Sequence, residues 1–498
     1  MPLKDIKNIN DLIKTPFLED NWGLETELAR ELYKHVVLPF RNDHGIVDAH
    51  THFSAKQIIE NKPISDIFSA MVLETDERWS NRDHYIVQLL AGEGIPFDFW
   101  YGPAKPKDKW MAMAKVFPNL VNTQVYKWTH MELNQILGIE CLLNEKNAER
   151  IWNEANRKLK QPEYSPQALL SDAGVKVLAT TDDPADDLPS EGDSIISRPD
   201  GNKMAIIPTY RPDKAMNIEA EGWAGYVNKL CDKAASVHTL DGLLAALKKR
   251  HDYFAEAGCR ASDHGLLEPF GYVVEQKDAQ DAFNRVYQSR AAVSKEDIRV
   301  FKSFLMHKFC EWDKEKGWAT QIHFAALRDQ NEHLAELAGP NSGGDYGQQH
   351  MDIATHLHDL LNKYAATGDP KKDGKIVLYS LSPSHYPQIA QMLTAFPGAY
   401  YGEGWWFNDS IEGMGSYHNI MNPTLAHTRN AGMVCDGRKP ISMWPRHDTR
   451  DRVLCNEFAN AAIHGGMPIE LVERTLYNLM YHNQVRIFGL EKALKKVA

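Results

Sequence analysis

Short apolar, β-rich runs that end abruptly in polar or charged residues recur along the chain. Eight stand out: Ile46-Val-Asp-Ala-His50, Lys176-Val-Leu-Ala-Thr-Thr181, Ile206-Ile-Pro-Thr-Tyr210, Cys259-Arg-Ala-Ser-Asp263, Thr320-Gln-Ile-His-Phe324, Ile376-Val-Leu-Tyr-Ser380, Ala399-Tyr-Tyr-Gly402 and Gly432-Met-Val-Cys-Asp436. The fourth and seventh are less β-like in composition than the others. Between most of the runs the apolar period lengthens to that of a helix. Thr239 can cap a helix that places Leu240, Leu243, Leu244, Leu247 and Phe254 on one face, with Gly258 as its stop. Ser294-Lys-Glu-Asp297 has the form of a capping box, Asp standing in for Glu, ahead of an amphipathic segment from Ile298 to Trp312. Further helices are expected over 353–366 and 386–396.

Strand, helix, strand alternation argues for parallel β/α architecture, and eight strands with polar residues at their ends point to an α/β fold of the (β/α)8, TIM-like barrel type. About 125 residues separate the first two runs, far more than a βα unit needs. A largely helical insertion over 53–172 is therefore expected between strands 1 and 2. Residues 1–44 read as an N-terminal helical segment, and 1–498 as one decorated barrel domain.

Composition narrows the function classes. The 498 residues are 43% hydrophobic and 25% charged, as in globular proteins, and length alone would equally have allowed three domains. The 56 basic and 67 acidic side chains leave a formal charge of −11 with no Lys/Arg run, which argues against nucleic acid as a partner. An anionic metabolite stays admissible, because a few arginines gathered in a pocket outweigh a distant, screened net charge. Six cysteines are scattered without a C-x-x-C pair, so no disulfide framework or zinc ribbon is indicated and a reducing cytoplasm is expected. No apolar run reaches the ~20 residues of a membrane helix, and the first residues lack a secretory h-region.

The chemistry lies at the strand ends. His50 and His52 sit at i and i+2 of an extended chain, so both imidazoles can converge on one metal ion. An arbitrary H-x-H pair more often hydrogen-bonds within a loop. Here an apolar strand feeds directly into it, and barrel closure would bring Asp436, an oxygen ligand, beside it. In Asp436-Gly-Arg438 one residue can ligate metal or move a proton while the other offers a donor fork to a carboxylate or hydroxyl. Arg211, Arg328 and Arg446 also fall just past expected strand ends, and several arginines aimed at one mouth suggest an acidic substrate. Asp263 and His264 in Ser262-Asp-His-Gly265, and His323 in Gln321-Ile-His323, are each as compatible with a structural as with a catalytic role. Thr180-Thr-Asp-Asp-Pro184 could be a metal-binding acidic cluster, but capping of a turn is the preferred reading. Gly402-Glu-Gly-Trp-Trp-Phe-Asn-Asp409 suits a tight loop packing on a sugar face, with core aromatics as the alternative.

Taken together these motifs resemble the uronate (glucuronate) isomerase family of the amidohydrolase superfamily over nearly the whole chain. The resemblance rests on Asp48-Ala-His-Thr-His52, Asp83-His-Tyr85, Tyr126-Lys-Trp-Thr-His-Met-Glu-Leu133, Thr180-Thr-Asp-Asp-Pro184, Tyr210-Arg-Pro-Asp-Lys-Ala215, Cys259-Arg-Ala-Ser-Asp-His-Gly265, Gln321-Ile-His-Phe324, Gly404-Trp-Trp-Phe-Asn-Asp409 and Asp436-Gly-Arg438. It implies reversible conversion of D-glucuronate to D-fructuronate and of D-galacturonate to D-tagaturonate. A proton would pass from C2 to C1 through an enediol. By likeness, His50, His52 and Asp436 bind a divalent metal, zinc, while His84, Tyr85, Arg211, Asp263, His323, Arg328 and Arg438 line the site. Either Tyr85 or Asp436 would handle protons, Arg211 or Arg328 would grip the carboxylate, and Trp405 and Arg446 would contact substrate. A homo-oligomer is also implied.

The sequence departs from the family in two places. Ile86, Val87 and Gln88 replace the usual Lys, Trp and Arg, removing two cations near the expected pocket, and Cys435 and Gly437 stand where Thr and Ser are common. The competing reading is a metal-dependent hydrolase, decarboxylase or epimerase acting on a sugar acid, because a fold does not fix a reaction.

Overall fold

Seven of the eight apolar runs coincide with or overlap strands, each paired with at least one neighbour. The computed structural model describes residues 17–72, 83–190, 192–198, 201–287, 292–340, 342–403 and 405–498. Ten strands are formed among them: β1 Ile46–Asp48, β2 Val175–Ala179, β3 Ile195–Ser197, β4 Lys203–Ile207, β5 Ala261–Gly265, β6 Ala319–Phe324, β7 Ala326–Leu327, β8 Tyr346–Gly347, β9 Lys375–Ser380 and β10 Ala399–Tyr401. One sheet has the order β1-β2-β4-β3, parallel except for β3. A second, β10-β9-β6-β5, is parallel throughout. Tyr210 joins them: its amide donates to Ala261 O at 3.1 Å and its carbonyl accepts from the Asp263 amide at 2.9 Å.

Successive residues of these strands face two apolar environments, the pattern of a sheet buried on both sides. Val47, Val177, Ala205, Ala261, Ala319 and Val377 pack in one cluster, whereas Ile322, Phe324, Ile376 and Leu378 pack under the surrounding helices. Those helices follow the sequence signals. Thr239 Oγ accepts from the Gly242 amide at 3.1 Å to start Leu240–Glu256, and the Ser294/Asp297 capping box opens Lys295–Lys316. Helices at Ile353–Tyr364 and Tyr386–Ala395 also match.

The eighth expected run, 432–436, forms no regular strand. Its ladder donors are taken elsewhere: the Gly432 amide by Asn430 Oδ1 at 2.7 Å and the Cys435 amide by Asp48 Oδ2 at 3.0 Å. The segment still lies between β10 and β1, with the Ala431 amide on Tyr401 O at 2.8 Å and the Asp436 amide on His50 O at 3.3 Å. The third run begins and ends earlier than expected, at Ile207, because Pro208 has no amide hydrogen to continue the ladder. Strands β3, β7 and β8, two or three residues long, were not among the runs read from the sequence.

Between β1 and β2 the described chain is helical, from Ala55–Ile59 to Pro166–Asp172. It has its own core around Phe68, Trp100, Trp110, Met113, Phe117 and Leu133. Trp100 and Trp110 are fully buried because their indole N–H groups find Ile95 O at 2.9 Å and Ala148 O at 3.0 Å. Each buried Phe of this core contributes about 1.5–3 kcal/mol. The remaining first segment supplies Glu27–Leu32 and Leu38–His44, packed on the long helix Met443–Gly465. No helix among the described residues is long and apolar enough to cross a membrane.

Candidate functional site

At the end of β1 the extended chain carries His50 and His52 to the same side, as their spacing predicts. His50 Nε2 lies 3.1 Å and His52 Nε2 3.0 Å from the same oxygen, Asp436 Oδ1. Thr181 Oγ at 2.8 Å from His52 Nδ1 fixes the second imidazole from behind. Asp436 holds a left-handed φ of 47°, which costs a non-glycine residue about 1–3 kcal/mol and so marks a backbone held by its surroundings. Burial disfavours charge on His50, but Asp263 and Asp436 outweigh it and raise the pKa. At His52, by contrast, burial prevails over Asp436 and lowers the pKa to about 3. The two imidazoles and the carboxylate place donor atoms within 4.8 Å of one another, and the buried His323 Nε2 beside His50 has no hydrogen-bond partner. Two nitrogens, one oxygen and an orphaned third imidazole fit a divalent ion.

Asp263 lies beneath these groups, fully buried. Its Oδ1 accepts from His323 Nδ1 at 2.7 Å, and its Oδ2 pairs with Arg211 at 2.9 Å and lies 3.8 Å from His50 Nδ1. Burial alone would raise its pKa; Arg211, His50 and His323 together hold it well below the carboxylate range. Arg211 also meets Asp213 Oδ2 at 3.0 Å. That geometry needs Gly265, since a Cβ there would stand 2.4 Å from the guanidinium. Arg328 pairs with Asp345 at 3.1 Å and lies over the Trp406 indole at 4.9 Å. Burial lowers the pKa of Arg438 despite the neighbouring Asp436.

The helical insertion closes the cleft from above. Asp83 Oδ1 accepts from the Ile86 amide at 3.4 Å, capping helix His84–Gly92 and presenting His84 and Tyr85 at its first turn. His84 packs edge-on against Trp406, 5.1 Å between ring centres, and Tyr85 against Phe407 at 5.5 Å. Burial, with Arg438 and Arg328 adding to it, keeps His84 neutral. Tyr85 is raised by burial and by Asp83 and Asp409, so its phenol retains its proton. On the opposite wall His323 stacks on Tyr379 at 4.2 Å and meets the edge of Trp405 at 5.0 Å. The cleft opens to solvent and is lined mainly by charged side chains, imidazoles and indoles.

His50, His52, His84, Tyr85, Arg211, His323, Arg328, Trp405, Asp436, Arg438 and Arg446 all line this one cleft. Asp263 stands behind it. Arg446 lines it with its charge already matched, by Asp409 Oδ2 at 2.8 Å and Cys435 O at 3.0 Å, and with its face on Trp128. Trp128, Trp406 and Thr181 were not singled out from the sequence, although each lies inside or beside a quoted motif. Asp183 and Asp186 cap a turn, Asp183 Oδ1 accepting from the Ala185 amide at 2.8 Å. His264 is buried against Ser262 Oγ at 3.0 Å, outside the cleft lining. Ile86 and Val87 pack into the insertion's apolar core, and neither they nor Gln88 line the cleft. Gly404 lies outside the described residues.

The sequence profile of the glucuronate isomerase family matches residues 14–488. The chain belongs to the glucuronate isomerase family. Among its relatives, the uronate isomerase of Thermotoga maritima is 37% identical over 475 residues, covering 95% of this chain and 99% of the relative. That of Bacillus subtilis is 32% identical over 489 residues, covering 96% and 98%. The crystal structure of the Thermotoga maritima uronate isomerase superposes with a TM-score of 0.87 at 36% identity, over 95% of this chain and all of that one. The Caulobacter crescentus glucuronate isomerase, at 22% identity, shares the fold with a TM-score of 0.86 over 95% and 97% of the two chains.

Proposed function

We propose that the chain interconverts open-chain aldose and ketose acids, D-glucuronate with D-fructuronate and D-galacturonate with D-tagaturonate. One observation carries this reading: a three-donor cation set, His50, His52 and Asp436, shares a cleft with the guanidinium groups of Arg211, Arg328 and Arg438. An aldose acid has a carbonyl–hydroxyl pair at one end and a carboxylate at the other, and the cleft offers an electrophilic region for each. A divalent ion held by His50 Nε2, His52 Nε2 and Asp436, zinc by the nitrogen and oxygen donor set, would supply Lewis-acid polarisation of the substrate's oxygens.

The protein's own groups account for the proton traffic. Asp436 reaches into the cleft, and its carboxylate can accept the C2 proton and return it at C1. Tyr85 keeps its proton and serves as hydrogen-bond donor to the enediol rather than as base. Arg438 faces the developing oxyanion, and Arg211 or Arg328 grips the carboxylate. Both of the latter are pre-set by carboxylates, Arg211 by Asp213 and Asp263 and Arg328 by Asp345, so little reorganisation is needed on binding. Asp263 also holds His323, and Trp405 offers an apolar face to the sugar chain.

The parallel strands of the two four-stranded sheets are, in this reading, arcs of one (β/α)8 barrel of the amidohydrolase type. Support comes from the bridge through Tyr210 and the hydrogen bonds linking β10, 431–437 and β1. The chain is then a single domain with a helical insertion over 53–172 that completes the site. The test is incubation with each uronate in heavy water, followed by NMR of ketose formation and of deuterium at C1 and C2. No ketose from either acid would refute the proposal, and an inverted stereocentre would indicate epimerisation.

A further inference from the structure

We infer that Asp48, His447 and Gln484, none of which lines the cleft, are positioning residues that set the spacing between the two chain segments carrying the cation donors; this rests on the ligand set proposed above. His50 and His52 follow β1, whereas Asp436 belongs to the neighbouring segment that forms no regular ladder. Two backbone hydrogen bonds join them, the Asp436 amide to His50 O at 3.3 Å and the His52 amide to Gly437 O at 2.8 Å. Side chains supply the rest of the connection.

Asp48 is fully buried and takes three donors. Its Oδ1 accepts from the His50 amide at 3.1 Å, while its Oδ2 accepts from the Cys435 amide at 3.0 Å and lies 3.0 Å from His447 Nε2. One carboxylate thereby grips the backbone of the first ligand and that of the residue preceding Asp436. His447, 2% exposed on helix Met443–Gly465, pins the carboxylate from outside. Gln484, on helix Asn483–Phe488, forms a second clamp of the same kind: its Oε1 accepts from the Ala49 amide at 3.2 Å, and its Nε2 donates to Met433 O. The approach needs Gly432, where a Cβ would stand 2.6 Å from Gln484 Cγ and where φ is +84°. Asp436 keeps its left-handed backbone because its surroundings over-determine it, and these clamps, which hold the residues just before it, are part of those surroundings. Groups that orient ligands from behind typically affect metal affinity ten- to hundredfold.

The experiment compares zinc affinity, by competition with a chromogenic chelator, together with kcat, KM and thermal unfolding, in full-length variants. His447→Leu and Gln484→Met are expected to weaken zinc binding about ten- to hundredfold and to lower kcat with little change in KM. His447→Gln, whose amide can still donate to Asp48, should recover affinity to within about threefold of the parent. Arg452→Met serves as a stability control, because Arg452 lies on the same helix but bonds Asp448 at 2.9 Å and Tyr33 at 3.1 Å. It should lower Tm without moving zinc affinity. Should His447→Leu not fold, Gln484→Met decides alone. Parental zinc affinity in the Leu and Met variants, with His50→Asn losing zinc, overturns the clamp. An equal loss in Arg452→Met also overturns it, and zinc retained by His50→Asn overturns the ligand set itself.

Discussion

Replacing Asp263 by asparagine keeps the shape of a fully buried side chain and removes its charge. The carboxylate now satisfies two donors, His323 Nδ1 at 2.7 Å and Arg211 at 2.9 Å. Asparagine has one acceptor oxygen, so either the imidazole or the guanidinium is left facing an amide N–H. At an effective dielectric of about 20, charges about 4 Å apart attract by about 4 kcal/mol. Breaking one partner of a buried pair costs about 3–5 kcal/mol, a large fraction of the roughly 5–15 kcal/mol that holds a typical protein folded. Thermal unfolding should therefore show a Tm several degrees lower. Activity should fall further than stability alone explains, because Arg211 and the His323 Nε2 lone pair both lose their orientation; a drop of about 10²–10³ in kcat/KM corresponds to about 3–4 kcal/mol. The decisive measurement is a cycle with Arg211→Met. Without the guanidinium, the introduced amide can serve His323 alone, so the second substitution should cost about 2–3 kcal/mol less than in the parent. Additive effects, or an Asp263→Asn protein with parental Tm and kcat/KM, would refute the hub.

Tyr85→Phe should lower kcat about 10²-fold with zinc content unchanged, measured by steady-state kinetics and metal analysis; full turnover would remove the phenol from the reaction. Gly402→Ala would place a Cβ 1.7 Å from Tyr379 Cε1, costing about 1–3 kcal/mol or more, and since that ring backs His323 the kcat should fall with Tm. His418 lies 2.8 Å from Glu457 and 3.5 Å from Glu403. Burial opposes its protonation, but the two carboxylates raise its pKa to about 9. A raised histidine stabilises fully below its unfolded pKa of about 6.5 and loses that contribution as pH rises through about 9, here about 3 kcal/mol. Denaturant melts should thus show stability falling between about pH 7 and about 9.5, and His418→Gln should flatten that slope.

Much of the site was legible because strand ends leave a local signature. An apolar run stopping at His50, or a charge pair such as Asp436 and Arg438, can be read without knowing what lies opposite. Residues whose role comes from their neighbours left no such mark. Trp406 matters because Arg328 lies over it, and Thr181 because it meets His52; Asp263 was legible at a strand end, but its place behind the cleft rather than in it was not. The departures at Ile86, Val87 and Gln88 suggested a pocket depleted of cations, yet those side chains do not line the cleft.

The amino-acid sequence by itself determined most of the alternation of strands and helices, the helical character of the chain between the first two strands, and the emergence of His50 and His52 on one side of an extended segment, since each depends on period and spacing within a few residues. Tertiary structure decided which elements meet at the sheet edges and by what means. The 432–436 run has the composition of a strand, but its Gly432 amide goes to the nearby Asn430 and its Cys435 amide to Asp48, a side chain distant in sequence that helps hold the segment beside His50. Hydrogen-bond donors are few and must be shared among all acceptors within reach, and which acceptors those are is fixed only when the chain has folded.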